Sequence, residues 1–341
     1  MDQGRYDQGV PVRIDAARRF ARIVILLATI SVWLSLSLIV NVRAQDFPVR
    51  PVKLIVNFPA GSGTADTVAR ALSEYLTRRW NQPVTVDNIP GSTGVVGAEA
   101  AYRAEPDGYT LLVTPAGALT VAQHLQKLSY DPTQFVPISM LETSPIVLVA
   151  SPHLPVKTMP ELIAYARANP GKLSAANHGI GSSSHLAAEW LRSTAQIQVF
   201  HVPFRGSVAA LQGLNDGRVD ILFDNLGSSL QPIRSGQVKA LAVASEKQEP
   251  LLPGVPTIAE TLPGFVTSSW VAVVAPPKTP QRLAKWLSEE FADALRQPQV
   301  VQTLANLACE PVGSTPEATG AFIRNESERW KSLIRDAKIG L

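Results

Sequence analysis

The chain has 341 residues, 45% of them hydrophobic and 17% charged, with a formal net charge of +3. That length supports about two domains with real hydrophobic cores, which excludes whole-chain disorder and a small disulfide scaffold. Its 27 prolines mark a fold rich in ordered turns.

The charge is unevenly placed. Of 31 basic and 28 acidic residues, six and three fall in residues 1–44, which leaves 25 of each in the remainder. A neutral body lacks the basic footprint of a nucleic-acid-binding protein, and no nucleic acid is expected as a partner.

In residues 1–44, Arg18, Arg19 and Arg22 precede an apolar run from Ile23 to Val40, and Val42-Arg43-Ala44 offers an exit ending in a small residue. A basic start, an apolar middle and a small-residue exit read as a secretory signal peptide. The mature chain is then expected to begin at Gln45 in the periplasm. The apolar run reaches about 18 residues, the lower limit for spanning a bilayer, so an uncleaved anchor is the alternative. Cys309 is the only cysteine, so no disulfide forms. It ends an apolar, helical-looking stretch from Leu304 and reads as a small buried residue.

Next, strands and helices alternate. Strands are predicted at Lys53–Phe58, Pro83–Asn88 and Tyr109–Thr114. Helices are predicted at Ala65–Arg79, at Gly97–Ala104, and after Pro115-Ala116-Gly117 as far as Lys127. The first helix carries Val68, Ala71, Leu72, Tyr75 and Leu76 at helical spacing. A strand follows at Ile146–Ala150, then a proline-rich polar stretch, Ser151–Pro160, where the chain is expected to change domains. The second block reads as helix Met159–Ala168, strand Lys172–Ala176, helix His185–Thr194, strand Gln198–Val202, helix Ser207–Asn215 and strands Val219–Phe223 and Lys239–Ala244. Ser268–Ala275 reads as a returning strand, and helices close the chain at Pro280–Leu295 and Pro316–Ile339. This alternation predicts an α/β fold with a largely parallel sheet.

One device occurs in both blocks. A strand runs into Pro59-Ala60-Gly61-Ser62-Gly63-Thr64 and then a helix. Another runs into Asn177-His178-Gly179-Ile180-Gly181-Ser182-Ser183-Ser184 and then a helix. Each loop sets backbone N–H groups and hydroxyls at a helix N-terminus, where the macrodipole favours an anion. The pair predicts two opposed anion cradles; ordinary capping by Ser and Thr is the alternative for either loop alone. Gly61 and Gly63 also begin a dinucleotide fingerprint, but Asp66 stands at its third glycine position and puts a carboxylate where a pyrophosphate would sit. Asp224 and Asn225 follow a strand and are placed to face a crevice or to form a turn. Arg205 either approaches an acidic ligand or is solvated. His185 follows three serines with no nucleophile elbow. His124, His153, His178, His185 and His201 show no metal-ligand spacing, so neither metal nor cofactor is read.

Several ordered motifs then resemble the Bug family of periplasmic solute-binding proteins, the receptors of tripartite tricarboxylate transporters. They include Pro48 to Val56, PAGSGTAD with Val68-Ala69-Arg70, Gly91 to Ala98, Pro106 to Leu112, Tyr130-Asp131-Pro132, Gly181 to Leu186, Phe223 to Leu226, Leu251 to Ile258 and Glu310 to Gly313. The resemblance covers residues 47–340. It implies a two-lobed, Venus-flytrap fold of the periplasmic binding-protein type II class, with lobes at 45–150 plus 266–341 and at 151–265. It also implies a non-enzymatic monomer that closes on a small organic carboxylate and hands it to integral-membrane transporter subunits. The positions matching the family's ligand loops are Phe58, Ala60, Gly61, Ser62, Gly63 and Thr64, and Gly181, Ser182, Ser183 and His185. Thr114, Ala116, Pro203 and Asp224 match other cleft-lining stretches. One extra residue stands before Asp66, and Phe204-Arg205 replaces a common Tyr-Lys pair. An exported Ser/His hydrolase and a ligand-presenting sensor subunit are the competing readings.

Overall fold

The computed structural model describes residues 47–61, 63–336 and 339. The leader and Ser62 lie outside the described residues. Residues 48–341 form one compact unit.

Strand β1 (Val52–Val56) is followed by α1 (Thr64–Trp80), β2 (Val84–Asn88), α2 (Val95–Tyr102) and β3 (Thr110–Pro115). A π-turn over Gly117–Val121 leads into the short α3 (Ala122–Leu125), and then β4 runs from Val136 to Ala150. The second block holds α4 (Met159–Ala168), β5 (Ser174–Asn177), α5 (Ser183–Ala195), β6 (Phe200–Pro203), α6 (Ser207–Asn215), β7 (Ile221–Asn225), α7 (Leu226–Arg234) and β8 (Lys239–Val243). The chain returns through β9 (Ser268–Ala275), α8 (Gln281–Leu295), α9 (Pro298–Asn306), β10 (Glu310–Pro311) and α10 (Pro316–Asp336).

Most predicted elements are present within a few residues. Strand β1 buries four of its five residues, as a strand covered on both faces must. Helix α1 buries Val68, Ala69, Leu72 and Leu76 along one stripe. It stops at Asn81, whose left-handed backbone (φ 50°) suits an asparagine.

The expectation of a largely parallel sheet is corrected. β1 pairs in parallel with β2 and β3, and β5 with β6 and β7. Between these parallel groups, β4 and β9 run antiparallel to each other and to their other neighbours. A strand that returns late in the chain reverses direction where it inserts, and alternation of elements does not report that. Strand β4 is also three times longer than predicted. Pro137, Glu142 and Pro145 break its apolar pattern, yet it continues through register shifts near Pro137–Ser139 and Met140–Glu142.

Strand β4 joins two hydrophobic cores. Met140 packs with Ile55, Leu112, Trp270 and Ala272. Ile146, Leu148 and Ala150 pack with Leu162, Leu191, Phe223 and Phe265. Two helices, α7 and α9, were not predicted. Gly227, two serines and the internal Pro232 hide α7. Tertiary packing makes the helix: a Cβ on Gly227 would lie 1.9 Å from the Leu307 carbonyl oxygen, so no side chain fits. Cys309 is buried, as expected, but lies beyond the end of α9.

Candidate functional site

The site begins where strands end. Asn57 follows β1 and Asn177 closes β5, and both side chains are buried. The Asn57 amide donates to the Gly94 carbonyl (3.0 Å) and to Thr114 Oγ1 (2.8 Å), while its Oδ1 is buried without a partner. Asn177 Oδ1 accepts the Gly179 N–H (2.9 Å), and its Nδ2 is buried without a partner. Each therefore holds a loop with one half of its amide. Neither was singled out from sequence; the available signal was an amide closing an apolar strand.

The first loop is tied down from within. Ala60, Gly61 and Gly63 are exposed and Phe58 is half-buried. Gly61 has φ +71° and Gly63 has φ +79°, left-handed backbone that a side chain would strain. The Gly61 N–H donates to Asp66 Oδ2 (2.9 Å), Arg70 grips the same carboxylate at 3.0 Å through two nitrogens, and Asn88 donates to Oδ1 (2.8 Å). Burial alone would raise the Asp66 pKa; Arg70, the Gly61 N–H and Asn88 outweigh it and hold the carboxyl below its usual range. Asp66 thus places a negative charge in the first turn of α1, at the end its dipole makes positive. The Thr64 hydroxyl turns inward and donates to Glu142 Oε1 (3.0 Å).

The second loop caps α5. Ser182 Oγ accepts the His185 N–H (3.3 Å), donates to the Gly179 carbonyl (2.6 Å) and meets Ser184 Oγ at 3.0 Å. Ser184 Oγ accepts the His178 N–H (2.9 Å). Both hydroxyls are thus spent on the loop itself. Ser183 is different: among the described residues its half-buried hydroxyl has no hydrogen bond. His185 is buried against His201 and Glu189. Burial, and then the neighbouring His201, pull its pKa down to about 4. Its Nδ1 receives the Gly181 N–H at 3.3 Å, and among the described residues no serine hydroxyl bonds the ring.

The second loop meets the turns after β2 and β3 over a cavity of about 70 Å³ lined by Ser92, Thr93, Gly117, Leu125, Ile180 and Gly181, with Ala122 and Gln126; among the described residues none of the first loop lines it. That is room for more than one water molecule. The Thr93 hydroxyl donates to the Ile180 carbonyl (3.0 Å) and closes one side. Among the described residues Gly181 is the one predicted site residue in this lining. Thr114 is buried beneath it on Asn57, and the Ala116 carbonyl accepts Thr120 Oγ1 (2.9 Å). Pro203 ends β6 level with Asn177 and is exposed, as is Arg205. Asp224 is buried and receives hydroxyls from Ser207 (2.7 Å) and Ser229 (2.9 Å), with His178 Nε2 3.5 Å from it. Loops built on strand ends around a cavity are where open α/β sheets bind small ligands.

The model of the tripartite tricarboxylate transporter receptor family matches residues 68–341. The chain belongs to this receptor family. Protein BugT of Bordetella pertussis is 36% identical over 316 residues, 91% of this receptor and 97% of that protein. Among solved structures, R. palustris Rpa4515 with adipate is 32% identical with a TM-score of 0.79, covering 86% of this receptor and 99% of that chain. MatC from Rhodopseudomonas palustris with bound malate is 33% identical with a TM-score of 0.77, covering 84% and 100%. The receptor therefore has the two-lobed α/β fold of these binding proteins. No helix among its described residues is long and apolar enough to cross a membrane.

Proposed function

We propose that this receptor captures a small organic carboxylate in the cleft between two lobes and delivers it, without chemical change, to integral-membrane transporter subunits. The observation that carries this reading is the meeting of the loop after β2 with the loop after β5 over one cavity, bridged from Thr93 to Ile180. Family relatives solved with adipate and malate support a dicarboxylate-sized ligand. The lobes are residues 45–150 plus 266–341 and residues 151–265, with β4 passing between them and its Ile146–Ala150 end seated in the smaller lobe's core. Closure of the lobes shields the anion from water. The receptor acts as a monomer.

A thermal-shift screen of mono-, di- and tricarboxylates tests the function. A true ligand at 100 times its dissociation constant adds about 2.7 kcal/mol of stability if it binds only the native state. A complete panel without a responder overturns the reading. Unchanged ligand, recovered after prolonged incubation, separates a receptor from a hydrolase.

Residues 1–44 act as the export signal in this proposal. Protein released by osmotic shock should begin at or near Gln45 by N-terminal sequencing. A full-length chain confined to the membrane fraction would show an uncleaved anchor instead.

A further inference from the structure

Outside the lining of the cavity, three metal-ligating side chains converge behind the second loop. His185 and Glu189 stand one turn apart on the same face of α5. His201 comes from β6, and its Nε2 meets Glu189 Oε1 at 2.5 Å. The two imidazole rings lie 4.7 Å apart, edge to face. One ligand atom from each of the three residues lies within 4.8 Å of the other two, and His185 and Glu189 are buried.

As an ion-pair network this cluster is incomplete. Nδ1 of His201 is buried with no hydrogen-bond partner. An orphaned buried nitrogen commonly marks a missing water or ion. Arg192 holds Glu189 Oε2 at 2.8 Å, which orients the carboxylate while leaving Oε1 directed at the histidines. Outer contacts of this kind position ligands in metal sites. The positive charge of Arg192 disfavours a cation, but the Glu189 carboxylate it grips offsets it.

We propose that His185, Glu189 and His201 form a three-ligand site for a borderline divalent cation of the Zn²⁺ class. Two imidazoles and one carboxylate suit such an ion and leave a coordination position open. An ion held by all three residues would staple α5 to β6. This inference stands independently of the proposed carboxylate ligand.

The test is calorimetric titration of Zn²⁺ into the purified protein after treatment with EDTA and its removal. The expected result is one saturable equivalent and a raised thermal midpoint. H201Q and E189Q should weaken binding by roughly tenfold or more, while H153Q, at an exposed histidine, should bind like the parent. H201Q retains an N–H donor for Glu189, so its fold is expected to persist, and circular dichroism checks this. Co²⁺ should give the intense visible absorption of a low-coordinate site in the parent and lose it in H201Q. Absence of a stoichiometric site overturns the proposal, as does unchanged Zn²⁺ binding by a folded H201Q protein. The cluster is then a buried ion-pair network only.

Discussion

Glu142→Gln should abolish a loss of stability of about 3 kcal/mol that the parent suffers between pH 4.5 and pH 7. Glu142 lies on β4 and is fully buried. One oxygen accepts the Thr64 hydroxyl, and the Cys309 thiol also interacts with the carboxyl. Burial pushes its pKa from 4.5 up to about 7, against the smaller opposing effects of Thr64 and Cys309. The folded state thus prefers the neutral acid. A group with a raised folded pKa contributes stability that is fully present below its unfolded value and is lost as pH rises through the folded one. A shift of this size corresponds to about 3 kcal/mol at about 1.4 kcal/mol per unit. Glutamine keeps the shape and the acceptor for Thr64 but cannot ionise. His185 opposes this trend. Its lowered pKa contributes stability above its unfolded value that is lost as pH falls, so the raw curve of the parent is flattened. The informative quantity is the parent-minus-variant difference from urea unfolding across that range, in which His185 cancels. A difference that stays constant from pH 4.5 to 7.5 would falsify the neutral-acid assignment.

Ser183→Ala should weaken carboxylate binding by some tens-fold, while Ser182→Ala should cost stability and leave affinity near the parent's. The two hydroxyls sit side by side but have different employment. Ser182 caps α5 and bonds Gly179, and removing such a cap costs about 1 kcal/mol. Ser183 stands at the first turn of the same helix with its hydroxyl uncommitted among the described residues. A hydrogen bond to a charged ligand is worth about 1.5–3 kcal/mol. Calorimetry with a carboxylate identified by thermal shift measures both. The reverse pattern, with affinity lost in Ser182→Ala and kept in Ser183→Ala, would mean that the loop's shape rather than its free hydroxyl recognises the anion.

The repeated strand–glycine loop–helix device was legible because it is local. Turn residues, a helix start and a strand end all fall within a dozen positions, and the structure has a loop of this form after β1 and after β5. What those loops do with their polar groups was not legible. Asp66 takes the Gly61 N–H, Glu142 takes the Thr64 hydroxyl from 78 positions away, and Ser182 is consumed by its own cap. Only a three-dimensional arrangement separates a committed donor from a free one, because commitment depends on which distant acceptor the fold delivers.

Most strands, most helices and the family were determined by local pattern: apolar periodicity, prolines and glycines act over one or two turns of chain and need no partner to be recognised. The tertiary structure alone decided three things. It drew β4 out to 15 residues across Pro137 and Pro145, because pairing with β9 and β7 outweighs local breakers. It placed Thr93 against Ile180, closing the cavity between loops 87 positions apart. And it brought His201 onto His185 and Glu189, a cluster with no sequence spacing to announce it, because a parallel strand returning beside its own helix sets side chains together regardless of the residues between them.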